Sequence, residues 1–243
     1  MIGVQVARRS SRAAVVGALA RPALARVVRR PRALLTLGAW CALAVGVALV
    51  ERSRGATHGA DHVLVGAFGG LVLPLLSYAL VGALLGARSL SASTAPLVSF
   101  GASPVRAAAV AVGLAVTGCA VLGASLAPVL AVVAHGADDP ARLADAVASA
   151  TTGALGGGAY GAWFVLGATL GRRGGGRTVL LVVDWLLGAG TSAAGLVVPR
   201  AYVRCLLGGA APIELSARTC SAALVALGLA CALLALRPSR AVP

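Results

Sequence analysis

Apolar and polar positions along the chain fall into long blocks and do not alternate. Six apolar runs stand out, at residues 34–50, 63–85, 105–134, 146–170, 179–198 and 220–236. A helix needs about 20 apolar residues to cross a bilayer core. The first run is short but uncharged, and the third is longer than one crossing requires. None shows the period-two alternation of a membrane barrel strand, and an isolated strand in lipid would leave its backbone groups unpaired. The pattern therefore predicts an all-α polytopic membrane protein. Residues 1–33 form a basic N-terminal segment, and residues 34–243 form a domain of six transmembrane helices.

Between the second and third runs the pattern breaks. "GARSLSASTAPLVSFGASPVRAAA", residues 86–109, packs serine, threonine, proline and arginine between two uncharged stretches. It is too long for a minimal turn between antiparallel spans. It predicts a short helix along the membrane face, broken at Pro96 and ended between Gly101 and Pro104. Leu90, Leu97, Val98 and Phe100 would face the bundle or a partner's groove.

Charge then orients the bundle. The chain carries a formal net charge of +14, which raises the question of nucleic acid. The basic residues, all arginine, sit at the ends of the apolar runs, where membrane topology accounts for them; no nucleic-acid partner is expected. The N-terminal segment, the 86–106 segment, the 171–178 loop and the C-terminus hold fifteen arginines, Arg88 and Arg106 among them, and no acid. The opposite loops hold six arginines against six acids. Short loops rich in arginine stay cytoplasmic, so both termini are expected there. The stretch "RAAVVGALARPALARVVRRPRA" interrupts its apolar groups with Arg21, Arg26, Arg29 and Arg30, unlike the unbroken core of a signal peptide. It reads as an amphipathic helix on the cytoplasmic face, near anionic headgroups, or as a basic tail without defined structure.

Inside the runs, small residues four apart suit close helix packing. Gly153, Gly157 and Gly161 make one such stripe, and Gly82 with Gly86 a shorter one. Asp184 is the one acid within a run, and intramembrane acids are functional candidates by default. It either pairs with an arginine such as Arg177 or serves substrate binding or gating, together with the polar candidates Tyr78, Thr151 and Tyr160. Pro74 and Pro128 each remove one backbone hydrogen bond and kink or curve their helices. Cys205 and Cys220 fall near the same outer face, as a disulfide or as small apolar fillers. "HGADH" at 58–62 resembles a metal cluster only loosely and reads better as a polar loop at the outer interface; no metal site is expected.

The chemistry of catalysis is thinly supplied. "GRRGGGRT" at 171–178 lacks both the GxxxxGK[ST] spacing and the lysine of a phosphate-binding loop, and reads as a short cytoplasmic turn. Neither GxSxG nor HExxH occurs. Uphill transport would draw its energy from a partner or an ion gradient.

Taken together these features resemble the membrane subunit of ABC exporters of the type-2 permease family (drug, polysaccharide and lipid exporters). The resemblance rests on six spans with cytoplasmic termini, an N-terminal interfacial helix, and a segment between spans two and three. In that segment Arg88, Thr94 and Leu97 fall in matching places, and Pro104, Val105 and Arg106 in "GASPVRAA" echo the family's exit motif. "VVPRAYVRCLLGG" at 197–209 is similar to the family's proline-led re-entrant outer stretch. The resemblance implies a multi-pass permease of the bacterial cytoplasmic (inner) membrane, without an ATPase motif of its own. A separate ABC ATPase, which binds ATP and Mg, would dock on Arg88, Ser89, Ser91, Ser93, Thr94, Leu97, Pro104 and Arg106. It also implies pairing with a second permease copy or paralogue, and contact with membrane lipids. The family often carries glutamates in the docking segment, whereas this chain has "SLSAST". That departure is the basis of the alternative, a non-transporting scaffold or assembly subunit derived from a permease.

Overall fold

A computed structural model describes residues 12–86, 88–139, 141–171 and 173–237. Arg8, Arg9, Arg172 and Arg240, which enter the arginine asymmetry, lie outside the described residues. The described chain is helical, with no strand. In order, α1 spans Arg12–Val28, α2 Pro31–Ser53 and α3 Gly59–His62; a π-helical stretch, Val63–Val72, leads into α4, Leu73–Leu85. Then come α5 Leu90–Ser99, α6 Pro104–Ala134, α7 Arg142–Thr169 and α8 Gly176–Leu187. A 3-10 turn at Ala193–Val197, α9 Pro199–Leu206, a second 3-10 turn at Pro212–Glu214 and α10 Ala217–Leu236 complete it.

Four helical stretches are long and apolar enough to cross a membrane: Pro31–Ser53, the run Gly59–Ser99 that holds α3, α4 and α5, Pro104–Ala134 and Ala217–Leu236. Large apolar side chains stand outward on them, including Leu35 at 70% exposure and Leu233 at 65%. Faces of that kind in water would drive aggregation; they are consistent with a membrane protein. At 28 residues α7 is long enough as well, but glycine, serine and threonine dilute its apolar character. It is instead the inner helix, with Tyr160, Phe164, Val165 and Ala168 at or near zero exposure.

The helices run alternately in opposite directions. The starts of α2, α6 and α8 and the ends of α4, α7 and α10 gather at one end, beside α1 and α5. At the far end the backbone of Asp138 donates to Thr57 (3.1 Å), and the α6–α7 connection lies against α3. The near end gathers Arg26, Arg29, Arg30, Arg32, Arg88, Arg106, Arg177 and Arg237, while Glu51, Asp61, Asp138, Asp139 and Asp145 lie toward the far one, mixed with Arg52, Arg54 and Arg142. The charge asymmetry of the sequence is thus a spatial one.

The Gly153, Gly157 and Gly161 stripe closes the central pair. A Cβ at these positions would meet the α6 backbone at Gly123, Cys119 and Ala115 respectively. Those three partners are themselves four residues apart, so two smooth ridges meet and the backbones touch. The Gly82 and Gly86 stripe does not pack on a helix. Gly82 faces the Arg177 guanidinium, and Gly86, at φ +72°, ends α4 beside the Arg30 guanidinium.

Two expectations about helix continuity change, and Pro74 has a specific local setting. The fifth run is not one helix: α8 holds 12 residues, about 18 Å at 1.5 Å per residue, and the chain then turns through 188–198 into α9. Gly188 and the "GAGTS" sequence that it opens supply little to hold a helix, and Pro199 favours a fresh start because its missing N–H costs nothing in a first turn. Pro96 does not break α5, which continues to Ser99. The freed carbonyl at Ala92 lies on an exposed stretch, so it is not stranded in the core and is open to a hydrogen bond from water. Pro74 sits in the first turn of α4, directly after the π-helical stretch; wider π turns leave room for a ring that would clash with the carbonyl four residues back. Pro128 lies within α6, as expected.

Candidate functional site

The near end is built around α5. Ser89 is its N-cap, in extended conformation, and its Oγ accepts from the Ala92 N–H (3.3 Å). Leu90 is buried, and Leu97 and Val98 are half-buried, so these apolar positions face the bundle. Phe100 does the opposite: it stands 90% exposed just past the helix, where Gly101 at φ +91° turns the chain toward α6. Ser103 caps α6 by accepting from the Arg106 N–H.

The side chains proposed from the sequence for docking divide into two groups. Arg88, Ser91, Pro104 and Arg106 are exposed and Ser89 is half-buried. Ser93 and Thr94 turn inward, at 5% and 6% exposure, and both hydroxyls donate to the Leu90 carbonyl (2.7 and 3.0 Å). The one donor of each hydroxyl is used inside the helix. From α1, Arg26 donates to the carbonyls of Leu84 and Ser93 (both 3.4 Å), tying α1 to the end of α4 and to α5. Between α5 and the ends of α6, α7 and α10 lies a groove of about 550 Å³, lined by Leu90, Val98, Val105, Ala108, Ala235 and Leu236 among others.

A second recess, of about 810 Å³, opens at the same end between α2, α4 and α8. Arg29, Arg30, Arg32 and Arg177 line its polar side, and Trp40, Leu75 and Ala79 its apolar wall. Arg177 is 7% exposed; its Nε donates to the Gly174 carbonyl and its Nη2 to that of Gly86 (3.2 and 2.8 Å). It carries no carboxylate partner: among the described residues the one ion pair joins Arg54 to Glu51. The sequence contained these arginines as topology signals, but only the fold shows that residues separated by most of the chain share one recess.

Deeper in, Asp184 is fully buried, and it does not pair with Arg177. Its Oδ2 accepts from the Tyr160 hydroxyl (3.0 Å) and its Oδ1 from the backbone N–H of Arg200 (3.1 Å). Arg200 is the second residue of α9, so the carboxylate sits on the positive end of that short helix and satisfies one of its free amides. The break after α8 is what makes this contact: one half-helix delivers the acid, the next the amide. The Asp184 main-chain carbonyl also accepts from Gly188 (2.9 Å), the bond that closes α8.

Of the other gating candidates, Tyr160 stacks on Phe164 (centroids 5.8 Å apart), which meets Tyr78 edge-on (5.6 Å). Tyr78 lines the arginine recess and shares a hydrogen bond with Thr178 (2.9 Å). Tyr78, Phe164, Tyr160 and Asp184 therefore form a continuous line from the recess to the α8–α9 break. Phe164 was invisible as a link from sequence. Thr151 stands apart, exposed, donating to the Val147 carbonyl one turn back (2.8 Å). All five cysteines are free, with Cys205 and Cys220 within hydrogen-bonding reach of each other.

No protein-family profile matches the chain, and no characterised protein or solved structure shows significant similarity to it.

Proposed function

We propose that the chain is the membrane-spanning permease subunit of an ATP-driven exporter, energised by a separate ABC ATPase that docks on α5. The observation that carries this reading is α5 itself: a capped helix inserted between two long apolar helices, at the arginine-rich end, followed by the exposed Phe100 and bordered by an apolar groove. An exposed phenylalanine and a concave apolar surface suit a protein partner. In this reading the six traverses are α2, the π-helical stretch with α4, α6, α7, α8 completed by the re-entrant α9, and α10. Both termini are cytoplasmic, because the arginine-rich end is the cytoplasmic one. Broken helices whose termini face charged groups are the sites where transporters bind and move, and the α8–α9 junction at Asp184 has that form. The arginine recess suits an anionic amphiphile, with guanidinium groups for the head and Trp40, Leu75 and Ala79 along the chain. A second copy or a paralogue completes the pathway.

One observation favours the alternative, a non-transporting scaffold: α5 has no acid, and Ser93 and Thr94 offer nothing outward. The test is copurification with a co-expressed ABC ATPase from the same genome. The permease reading expects a stable complex that is lost in Phe100→Asp and weakened in Arg88→Ala, with Ser93→Ala close to wild type because its hydroxyl faces inward. Failure of the wild-type chain to retain any such ATPase would leave the scaffold reading.

A further inference from the structure

The end of the bundle opposite α5 carries a second constellation, independent of any docking. "HGADH" supplies His58 and Asp61, and the α6–α7 connection brings Asp139 to them. One imidazole nitrogen and one oxygen from each carboxylate lie within 4.8 Å of one another. The scaffold beneath them is fastened. Asp139 Oδ2 accepts from the backbone N–H groups of Ala60 (2.9 Å) and Gly136 (2.7 Å), which bridges the two loops and fixes the carboxylate. Gly59 packs so closely on the Ala134 carbonyl, and Gly136 on the backbone of Ala56 and Thr57, that no side chain fits at either position.

Three polar atoms in this neighbourhood are buried with no partner: Asp139 Oδ1, Asp145 Oδ2 and His135 Nδ1. A buried carboxylate oxygen without a donor is costly. Here three carboxylates, Asp61, Asp139 and Asp145, crowd together and no arginine pairs with them among the described residues. Asp145, in the first turn of α7, adds its charge to theirs. Like charges gathered around orphaned oxygens, with two imidazoles beside them, are an arrangement that a bound cation resolves.

We propose that His58, Asp61 and Asp139 hold a divalent first-row transition-metal ion of the Zn²⁺ class at this end of the bundle. The donor set selects the ion. An imidazole with two carboxylates suits Zn²⁺ or its neighbours, whereas Mg²⁺ and Ca²⁺ favour all-oxygen shells. Ligand atoms on a tetrahedral ion stand about 3.4 Å apart, so the set closes slightly on binding. His58, which is exposed, is free to swing inward, and the backbone-anchored Asp139 stays in place. His135 and Asp145 border the site, as a further ligand or as a hydrogen-bonding support. The ion would lock α3 to the α6–α7 connection and so clamp the far end of the bundle.

The test is equilibrium titration of the purified, chelator-stripped protein with Zn²⁺ and, separately, with Mg²⁺. The expected result is one equivalent of Zn²⁺ bound, with affinity at least tenfold weaker in His58→Ala and in Asp61→Asn, and no displacement by Mg²⁺ at equal concentration. His62→Ala, an exposed histidine outside the set, should bind like wild type. His58 and His62 are both at the surface, so their variants fold and report on the site alone. Absence of stoichiometric Zn²⁺ binding by the wild-type protein overturns the proposal. So does binding that His58→Ala leaves unchanged, or that His62→Ala abolishes, since either places the ion elsewhere.

Discussion

Asp184 illustrates how much a single residue's meaning depends on its partners. From sequence it was a lone acid in an apolar run, with Arg177 as the nearest candidate partner. Arg177 instead holds the end of α4 through Gly86, and Asp184 is held by the Tyr160 hydroxyl and the α9 amide of Arg200. Hydrogen bonds to an ionised carboxylate contribute roughly 1.5–3 kcal/mol each. Asp184→Ala is therefore expected to destabilise the fold by on the order of 3 kcal/mol and to loosen α9. Tyr160→Phe removes one donor and should cost about half as much. Thermal unfolding in detergent ranks the two; equal and negligible shifts would show that the carboxylate does not anchor the α8–α9 junction.

At the scale of the element, the α6–α7 pair and α5 make opposite demands on their residues. Gly157 meets the Cys119 backbone, whereas its neighbour Gly158 has only side-chain atoms at ordinary contact distance, 3.7 and 3.8 Å. Gly157→Ala should force the helices apart at a cost of about 1–3 kcal/mol, with lower yield of monodisperse protein, while Gly158→Ala is tolerated. Similar yields for both would contradict the close approach. For α5, Ser89→Ala removes the N-cap, worth about 1 kcal/mol; faster hydrogen exchange at residues 91–94 is the expected sign. The glycine stripe on α7 was legible because its period of four matches a helix face, and both the apolar runs and the inserted α5 stood out by composition. The break in the fifth run was not. Hydropathy averages over Gly188 to Pro199 without registering that glycine and serine there support no helix. Nor could composition show that Pro96 would be carried within α5, because its exposed surroundings leave the freed carbonyl open to water.

For the whole molecule, the fold turns a one-dimensional charge count into two ends of different character. Arginines without acids gather around α1, α5 and the start of α8, and acids with histidines gather around α3 and the α6–α7 connection. The sequence showed the asymmetry but not the assemblies within it. His58, Asp61 and Asp139 were separated by an entire antiparallel pair, and the four arginines of the recess were spread from residue 29 to residue 177. Topology makes a prediction at this scale. Single cysteines introduced at Ser91 and at Arg106 should react with an impermeant thiol reagent only from the cytoplasmic side, and one at Thr57 only from the opposite side, in a background lacking the native cysteines. Labelling of all three from one side would exclude the alternating arrangement in a membrane.

The proposed coupling of an ATPase to this bundle through α5 can be read from ATP turnover in proteoliposomes holding the chain and a co-expressed ABC ATPase. Turnover should rise when the wild-type chain is present and return to the level of the ATPase alone with Phe100→Asp, while that variant keeps its helical content and elutes as wild type. Turnover that is indifferent to the chain, or unchanged by Phe100→Asp, would contradict it.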